Sequence, residues 1–357
     1  MNKSKKFIVF FSALEFTNNK MEKALEIVEK YKIETIEDLI NNSDFLSMLS
    51  TEEYHNLVKK SDEILNFIED VENSEITILT QDDEEYPKTL LGIDDAPKVL
   101  YAKGDLSLLN DKGLAIVGTR MPSNYGVYVT NKFAEDLAKA GFVIISGLAY
   151  GVDSISHKKA LEVGGKTIAV LGSGFNHIYP EAHTNLANEI AEKGLLLSEY
   201  SPFTRPTKFT FPKRNRIIAG LSQGILITEA SARSGTIHTK EFALDYGKDL
   251  FAVPGNINSL KSELPNSLIK SGQAECVLTS KDILDYYGID IKKENKKVIS
   301  LNFEEQMILD LLKDGEKDFD ELAKKSNISV NILNSYLTTL EIRGLIKRMP
   351  AKTFMLN

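Results

Sequence analysis

LAIVGTRMPSNYGVYVTNKFAEDLAKAGFVIISGLAYGVD, residues 114–153, decides the fold. A short apolar run, LAIVG (114–118), stops at a glycine turn, and an amphipathic stretch, NYGVYVTNKFAEDLAKAG, follows with apolar residues at helical spacing. A second apolar run, FVIIS (142–146), then opens onto another glycine turn. Both runs are apolar at successive positions, as expected of a parallel strand covered by helices on each face. The unit recurs in TIAVLG (167–172), LLLS (195–198), GILIT (224–228) and LFAVPG (250–255), most of them separated by helical stretches that end in Gly141, Gly164, Gly194 or Gly247. Glycine is the usual helix-stop residue. The pattern predicts an α/β fold, an extended Rossmann-like doubly wound and mostly parallel sheet over residues 76–290.

Outward from that core, residues 1–75 read as an N-terminal helical domain, with helical periodicity in MEKALEIVEKY and EYHNLVKKSDEILNFIEDV and a polar break at INNSDF. The Pro-punctuated EEYPKTLLGIDDAPKVLYAKGD suggests a lead-in strand and turn. Residues 291–300, IKKENKKVIS, read as a basic linker. Residues 301–357 give three helical stretches and a hairpin, LIKRM with KTFML, which is the pattern of a C-terminal winged helix. The start, MNKSKKFIVFFSALEF, has basic residues before an apolar patch, but Ser12, Glu15 and Asn18 interrupt it and no small-residue cleavage site follows, so it reads as a buried first element. No apolar run is long enough for a membrane span, so no membrane partner is expected. The single cysteine, Cys276, excludes an internal disulfide, fits a cytoplasmic location, and is expected in the core because AECVL is apolar.

Net charge −8 argues against nucleic acid only if the charge is evenly spread. It is not: residues 1–75 carry nine Lys and Arg against sixteen Asp and Glu, whereas Tyr200 to Thr228 contains no acid and carries Arg205, Lys208, Lys213, Arg214 and Arg216. A local basic site can concentrate a polyanion on an acidic protein, because screening confines fields to roughly 8–10 Å.

In an open parallel sheet, ligands lie beyond the carboxyl ends of the strands. There the sequence places GTRMPSNYG (118–126), SGLAYGVD (146–153) and GSGFNHIYP (172–180). Glycines at 118, 147, 151, 172 and 174 would let backbone N–H groups approach an anion, with Gly118 and Arg120 in the first turn. Neither the Walker spacing nor a single G-x-G-x-x-G fingerprint is present, so mononucleotide triphosphates and dinucleotides are disfavoured and no cofactor is expected. In KFTFPKRNRIIAGLS (208–222), Phe209 and Phe211 alternate along what reads as an extended approach to Pro212, before Lys213, Arg214, Asn215 and Arg216 open a short helix. Aromatic faces for bases beside cations for phosphates suit sequence-tolerant single-strand binding. The plainer alternative is that one Phe packs in the core and Arg216 pairs with a carboxylate.

VGTRMPSNYG, SGLAYGVDSISHKKAL, TIAVLGSG…IYP, FPKRNRIIAGLS, EASARSGT and AVPG, in this order, closely resemble the DprA/Smf family of DNA-processing proteins over roughly residues 76–280. The lead-in segment and the winged helix resemble the family's too. The resemblance implies a Rossmann-like core that binds single-stranded DNA, forms a homodimer and loads the RecA recombinase during natural transformation and recombination, with no catalytic activity. Carried over by motif, the implied DNA-contacting residues are Arg120, Ser146, Gly147, Phe211, Lys213, Arg214 and Asn215. Two departures, LPNSLIKSGQ (264–273) and VDSISH, bear on loop detail.

The rival reading is a nucleotide-processing Rossmann enzyme related to nucleoside-monophosphate phosphoribohydrolases, with Glu229 and Glu241 supplying acid. That family's P-G-G-x-G-T-x-x-E run is absent, the strand leading instead into TEASARSGT, and Glu229 is expected to fix Arg233 or another basic residue. Asp153 and His157 are four apart at a helix start, where capping and structural hydrogen bonds are the expectation. His177, His183 and His238 have no metal-ligand spacing, and Ser173 lacks the nucleophile elbow. The third helix of the winged unit exposes Asn331, Asn334, Ser335, Thr338 and Thr339 and offers no cation before Arg343, which favours a protein-interaction or auxiliary role over duplex reading.

Overall fold

The structure, a computed structural model, describes residues 1–289, 301–349 and 353–356; the 291–300 linker lies outside the described residues. The chain divides into two compact units, Met1–Asp290 and Ile291–Asn357.

The first unit opens with α1 (Lys3–Ala13), α2 (Asn18–Lys30), α3 (Ile36–Ile40), α4 (Ser43–Ser47) and α5 (Thr51–Asp70). Phe7 through Ala13 are all buried, so beyond its largely exposed first turn, Lys3–Lys6, α1 needs cover on every side. It gets that cover from α2, α5 and the first strands of the sheet: Phe7, Phe11, Phe16 and Phe45 share one apolar cluster with Ile78, Val99 and Tyr101. The N-terminal helices are thus continuous with the sheet's own packing. The expected break at INNSDF holds α4, whose N-cap Asn42 accepts from the Phe45 amide.

The sheet contains β1 (Thr77–Thr80), β2 (Val99–Gly104), β3 (Gly113–Val117), β4 (Val143–Ser146), β5 (Thr167–Leu171), β6 (Leu195–Ser198), β7 (Gly224–Ile227), β8 (Asp249–Ala252) and β9 (Glu275–Cys276). Its order is β1-β2-β6-β5-β4-β3-β7-β8-β9. Pairing from β6 through to β9 is parallel, and β1 and β2 add an antiparallel edge. The helices are α6 (Lys88–Leu91), α7 (Asn124–Lys139), α8 (Val152–Glu162), α9 (Thr184–Lys193), α10 (Thr210–Leu221), α11 (Thr236–Asp245), α12 (Glu263–Lys270) and α13 (Ser280–Tyr286). The chain steps from β3 outward to β6 on one side, then returns to lay β7 and β8 on the other, so its direction reverses between β3 and β7. This is the extended Rossmann-like, mostly parallel sheet expected from the sequence. Cys276 is corrected: it is exposed, because β9 is a two-residue strand at the sheet's edge with no layer beyond it.

The second unit carries α14 (Phe303–Leu312), β10 (Lys317–Asp318), α15 (Phe319–Ser326), α16 (Val330–Ile342), β11 (Ile346–Met349) and β12 (Thr353–Leu356), with strand order β10-β12-β11. It is the expected winged helix plus one short strand, β10, too brief for an alternation to show. Leu333, Leu337 and Leu340 bury one face of α16, while Asn331, Asn334, Ser335 and Thr338 stay exposed. Arg343, the cation at its end, is held by the buried Glu305 at 3.0 Å.

Candidate nucleic-acid interface

A cleft of about 720 Å³ lies at the carboxyl ends of β3 and β7, where the strand order reverses. One wall is Gly118–Arg120, following β3; another is Ser234–Thr236 with His238, at the start of α11; the third is the 206–208 segment and the first turn of α10. The helix begins earlier than expected. Phe209 is its N-cap, with φ −93° and ψ −30°, and Phe211 and Pro212 lie in its first turn, not on an extended approach. Proline is tolerated there because first-turn amides have no intrahelical acceptor.

Helical geometry then sorts the FPKRNR run. Arg214, Ile217, Ile218 and Leu221 share one face at i, i+3, i+4 and i+7, and all are buried. The Arg214 guanidinium donates from Nη1 to the carbonyls of Gly147, at 2.7 Å, and Val170, and from Nε to Asn215 Oδ1 at 3.2 Å. Burial lowers its pKa to about 10, with the Asp153 charge acting to raise it, so it is a cation at neutral pH. Asp153 is buried too; desolvation raises its pKa while Arg214 and the Gly147 amide, which donates to Oδ2 at 3.1 Å, act to lower it. Ser146 donates to the Ile116 carbonyl at 2.7 Å. Ser146, Gly147 and Arg214 therefore have their polar groups engaged inside the fold. Arg216 pairs with Glu199 and, at 3.1 Å, with Asp95, which is the plainer alternative left open by the sequence.

The glycine turns are corrected as an open phosphate cradle. A Cβ on Gly147 would strike the Arg214 guanidinium, and one on Gly172 would sit 2.7 Å from the Phe211 ring. The amides around them are used within the fold: Thr119 N–H donates to Glu229 O, Val152 N–H to Thr119 O, and Gly174 N–H to Thr204 O. The turns converge so closely that they bond to one another, and the small residues admit an arginine and an aromatic ring rather than an anion.

What faces the cleft from its rim is different. Arg120 and Lys208 are exposed, without an ion-pair partner among the described residues, and the Lys208 ammonium sits 5.0 Å from the Phe209 ring centroid. Lys213 is half-buried, 3.5 Å from Glu199, on the far side of the segment. Phe211 meets Tyr179 with ring centroids 5.2 Å apart, and Tyr179 is 46% exposed. Asn215 reaches toward the Gly235 carbonyl at 3.4 Å, tying α10 to the loop before α11. Tyr179 and the Ser234–Thr236 wall were not singled out from the sequence, and Lys208 was named only as one cation of the acid-free stretch; Tyr179 sits in the IYP that ends the third glycine turn, and position alone could have flagged it.

Glu229 also departs from expectation. Its two oxygens accept from Ser123, the amide at 2.8 Å and the hydroxyl at 2.6 Å, so it anchors the start of α7 and not Arg233. His157 is buried, held well below its usual range at about 3 by desolvation, and paired with Thr167 at 2.6 Å. The Thr167 hydroxyl donates to Ile144 O, so His157 Nδ1 donates to Thr167. Among the described residues no group of three His, Cys, Asp or Glu is arranged to hold a metal.

Comparison with known proteins gives a consistent answer. The family model described as DNA recombination-mediator protein A matches residues 77–288, and the DprA winged helix domain matches residues 294–352. Protein Smf of Escherichia coli is 38% identical over 76% of this chain and 75% of its own. The DNA processing protein DprA of Bacillus subtilis is 42% identical over 57% of this chain and 68% of its own. The crystal structure of DNA processing protein A from Streptococcus pneumoniae superposes with a TM-score of 0.65 at 36% identity, over 80% of this chain and 98% of that one. A solved structure of DNA processing protein A from Helicobacter pylori, described for its single-stranded DNA binding mode, gives 0.55 at 35% identity, over 60% of this chain and 95% of that one.

Proposed function

This chain belongs to the DprA family of DNA recombination-mediator proteins, and on that premise we propose that it binds single-stranded DNA along the rim of the β3–β7 cleft and hands it to the RecA recombinase. The observation that carries the reading is the pairing of Arg120 and Lys208 with the exposed Tyr179 ring and the half-buried Phe211 ring it meets, around one cleft at the sheet's reversal point. Cations hold phosphates, ring faces stack bases without regard to sequence, and stacking contributes about 1–3 kcal/mol per base. Arg120, Lys208, Phe211 and Asn215 are the contacts within the cleft, and Lys213 meets the strand on the far side of the segment. Gly118 shapes the wall beside Arg120, and Ser146, Gly147 and Arg214 act from beneath by fixing where those contacts stand.

The H. pylori relative, whose solved structure concerns single-stranded DNA binding, supports the ligand. A homodimer would align two such clefts into a longer footprint, and the protein would do its work in the cytoplasm without a catalytic step of its own. With both Glu229 oxygens accepting from Ser123, the phosphoribohydrolase reading loses one of its two acids, and the other, Glu241, stands exposed on α11 beside His238.

Fluorescence anisotropy with labelled oligothymidylate against a duplex of equal length, over a salt series, tests the proposal. Preference for the single strand with a steep salt dependence is expected; equal or negligible binding to both would remove it.

A further inference from the structure

A second cleft, of about 220 Å³, opens on the other side of the segment that walls the first, and Thr207 lines both. It lies where the N-terminal helices meet the strap of residues 204–213. Phe16 and Met21 come from the helices, and Tyr200, Phe209 and Lys213 from the sheet's side. We propose that this cleft is a second nucleotide subsite, taking a base of the same single strand once it has crossed the strap; the inference rests on the reading given under Proposed function.

Four features support a base as the occupant. Phe209 is 73% exposed and offers a ring face, with Tyr200 in the same wall. Arg205, exposed and without an ion-pair partner among the described residues, and Lys213 stand at the cleft for flanking phosphates. Thr17, the N-cap of α2, makes no side-chain cap bond, and it lines the cleft together with Asn18, so polar side chains stand at its mouth. Glu199, itself only 9% exposed, also lines the cleft, and its Oε2 has no hydrogen-bond partner among the described residues. An unsatisfied buried acceptor is costly, and every base carries an N–H donor on its pairing edge.

The other charges fit this account. Glu15, in the turn after α1, is 3.5 Å from Lys60 of α5, and Lys98, just before β2, is 2.8 Å from Glu22 of α2, so each faces an opposite charge. The subsite gives the acidic N-terminal region a part in DNA binding at the one strap that is free of acids.

The test is photocrosslinking of the full chain to oligothymidylate carrying a single iodouracil, moved one position at a time, with adducts located by mass spectrometry. The expected result is two sets of adducts from neighbouring positions of the strand, one on Tyr179 or Phe211 and the other on Phe209 or Tyr200. Adducts confined to Tyr179 and Phe211 would overturn the second subsite and leave the first standing, whereas a wild-type chain without affinity for the single strand would overturn both. Thr17→Trp, at an exposed position whose cap bond is absent, fills the mouth; it should weaken oligothymidylate binding about tenfold. Unchanged affinity in that variant would count against the subsite independently.

Discussion

The floor and the rim of the β3–β7 cleft are built from the same kinds of residue and do opposite things. On the floor, Arg214, Asp153 and Glu229 are buried and joined to backbone amides and carbonyls, so their charge fixes the shape of the turns. At the rim, Arg120 and Lys208 are exposed to whatever approaches. Lys213 and Arg214 are chain neighbours that the turn of α10 sends apart, Arg214 into the floor and Lys213 to the far side of the strap. A cation's place on a helix face, more than its presence in a basic run, decides whether it builds or binds.

The widest separation between the two regions is expected in stability. Arg214→Met should destabilise the first unit by about 3–5 kcal/mol in urea unfolding, because Asp153 and two carbonyls lose their buried partner. Lys213→Met should cost under about 1 kcal/mol, its ion pair with Glu199 being half-exposed. Equal losses would erase the distinction.

The next effect is one of pH. The folded pKa of His157, about 3, lies below its unfolded value of 6.5, so its contribution to stability is complete above pH 6.5 and is lost as pH falls toward 3. Between pH 6.5 and 5 this amounts to about 2 kcal/mol. Asp153, raised by burial, acts in the opposite sense as the solution becomes acid, so the informative measurement is the difference in unfolding free energy between wild type and His157→Gln across that range. A constant difference would show that His157 is no part of the floor's electrostatics.

At the rim and on the far side of the strap the effect should appear in binding. Lys213→Ala and Arg120→Ala should each lower affinity for the single strand about tenfold and flatten the log–log salt dependence by about 0.7. Unchanged affinity and slope in both would place the strand elsewhere. The smallest change is expected from Glu229→Gln, which keeps an acceptor for Ser123 but removes the charge at the start of α7. It should lower stability by about 1 kcal/mol and leave DNA affinity as it was. A loss of affinity would move Glu229 from the floor to the binding surface.

Much of this architecture was legible in the chain. The strands were readable because a buried parallel strand has to be apolar on both faces, and the cleft's position followed from where such strands end. The N-terminal region was harder to read, since α1 shows no polar face to betray which neighbours cover it. After FPKRNR, the apolar positions Ile217, Ile218 and Leu221 already implied that Arg214 lies on the buried stripe, a signal that the attraction of a basic run concealed.

The sequence by itself determined the doubly wound sheet, the winged helix and the acid-free stretch beside the reversal point, because these depend on local periodicity and composition. The tertiary structure alone decided which glycines admit an arginine or a ring, which cations remain exposed, and that Glu229 holds Ser123, the N-cap of α7. Each of those depends on groups distant in sequence, such as Ser123 with Glu229 or Gly147 with Arg214, competing for the same hydrogen bonds.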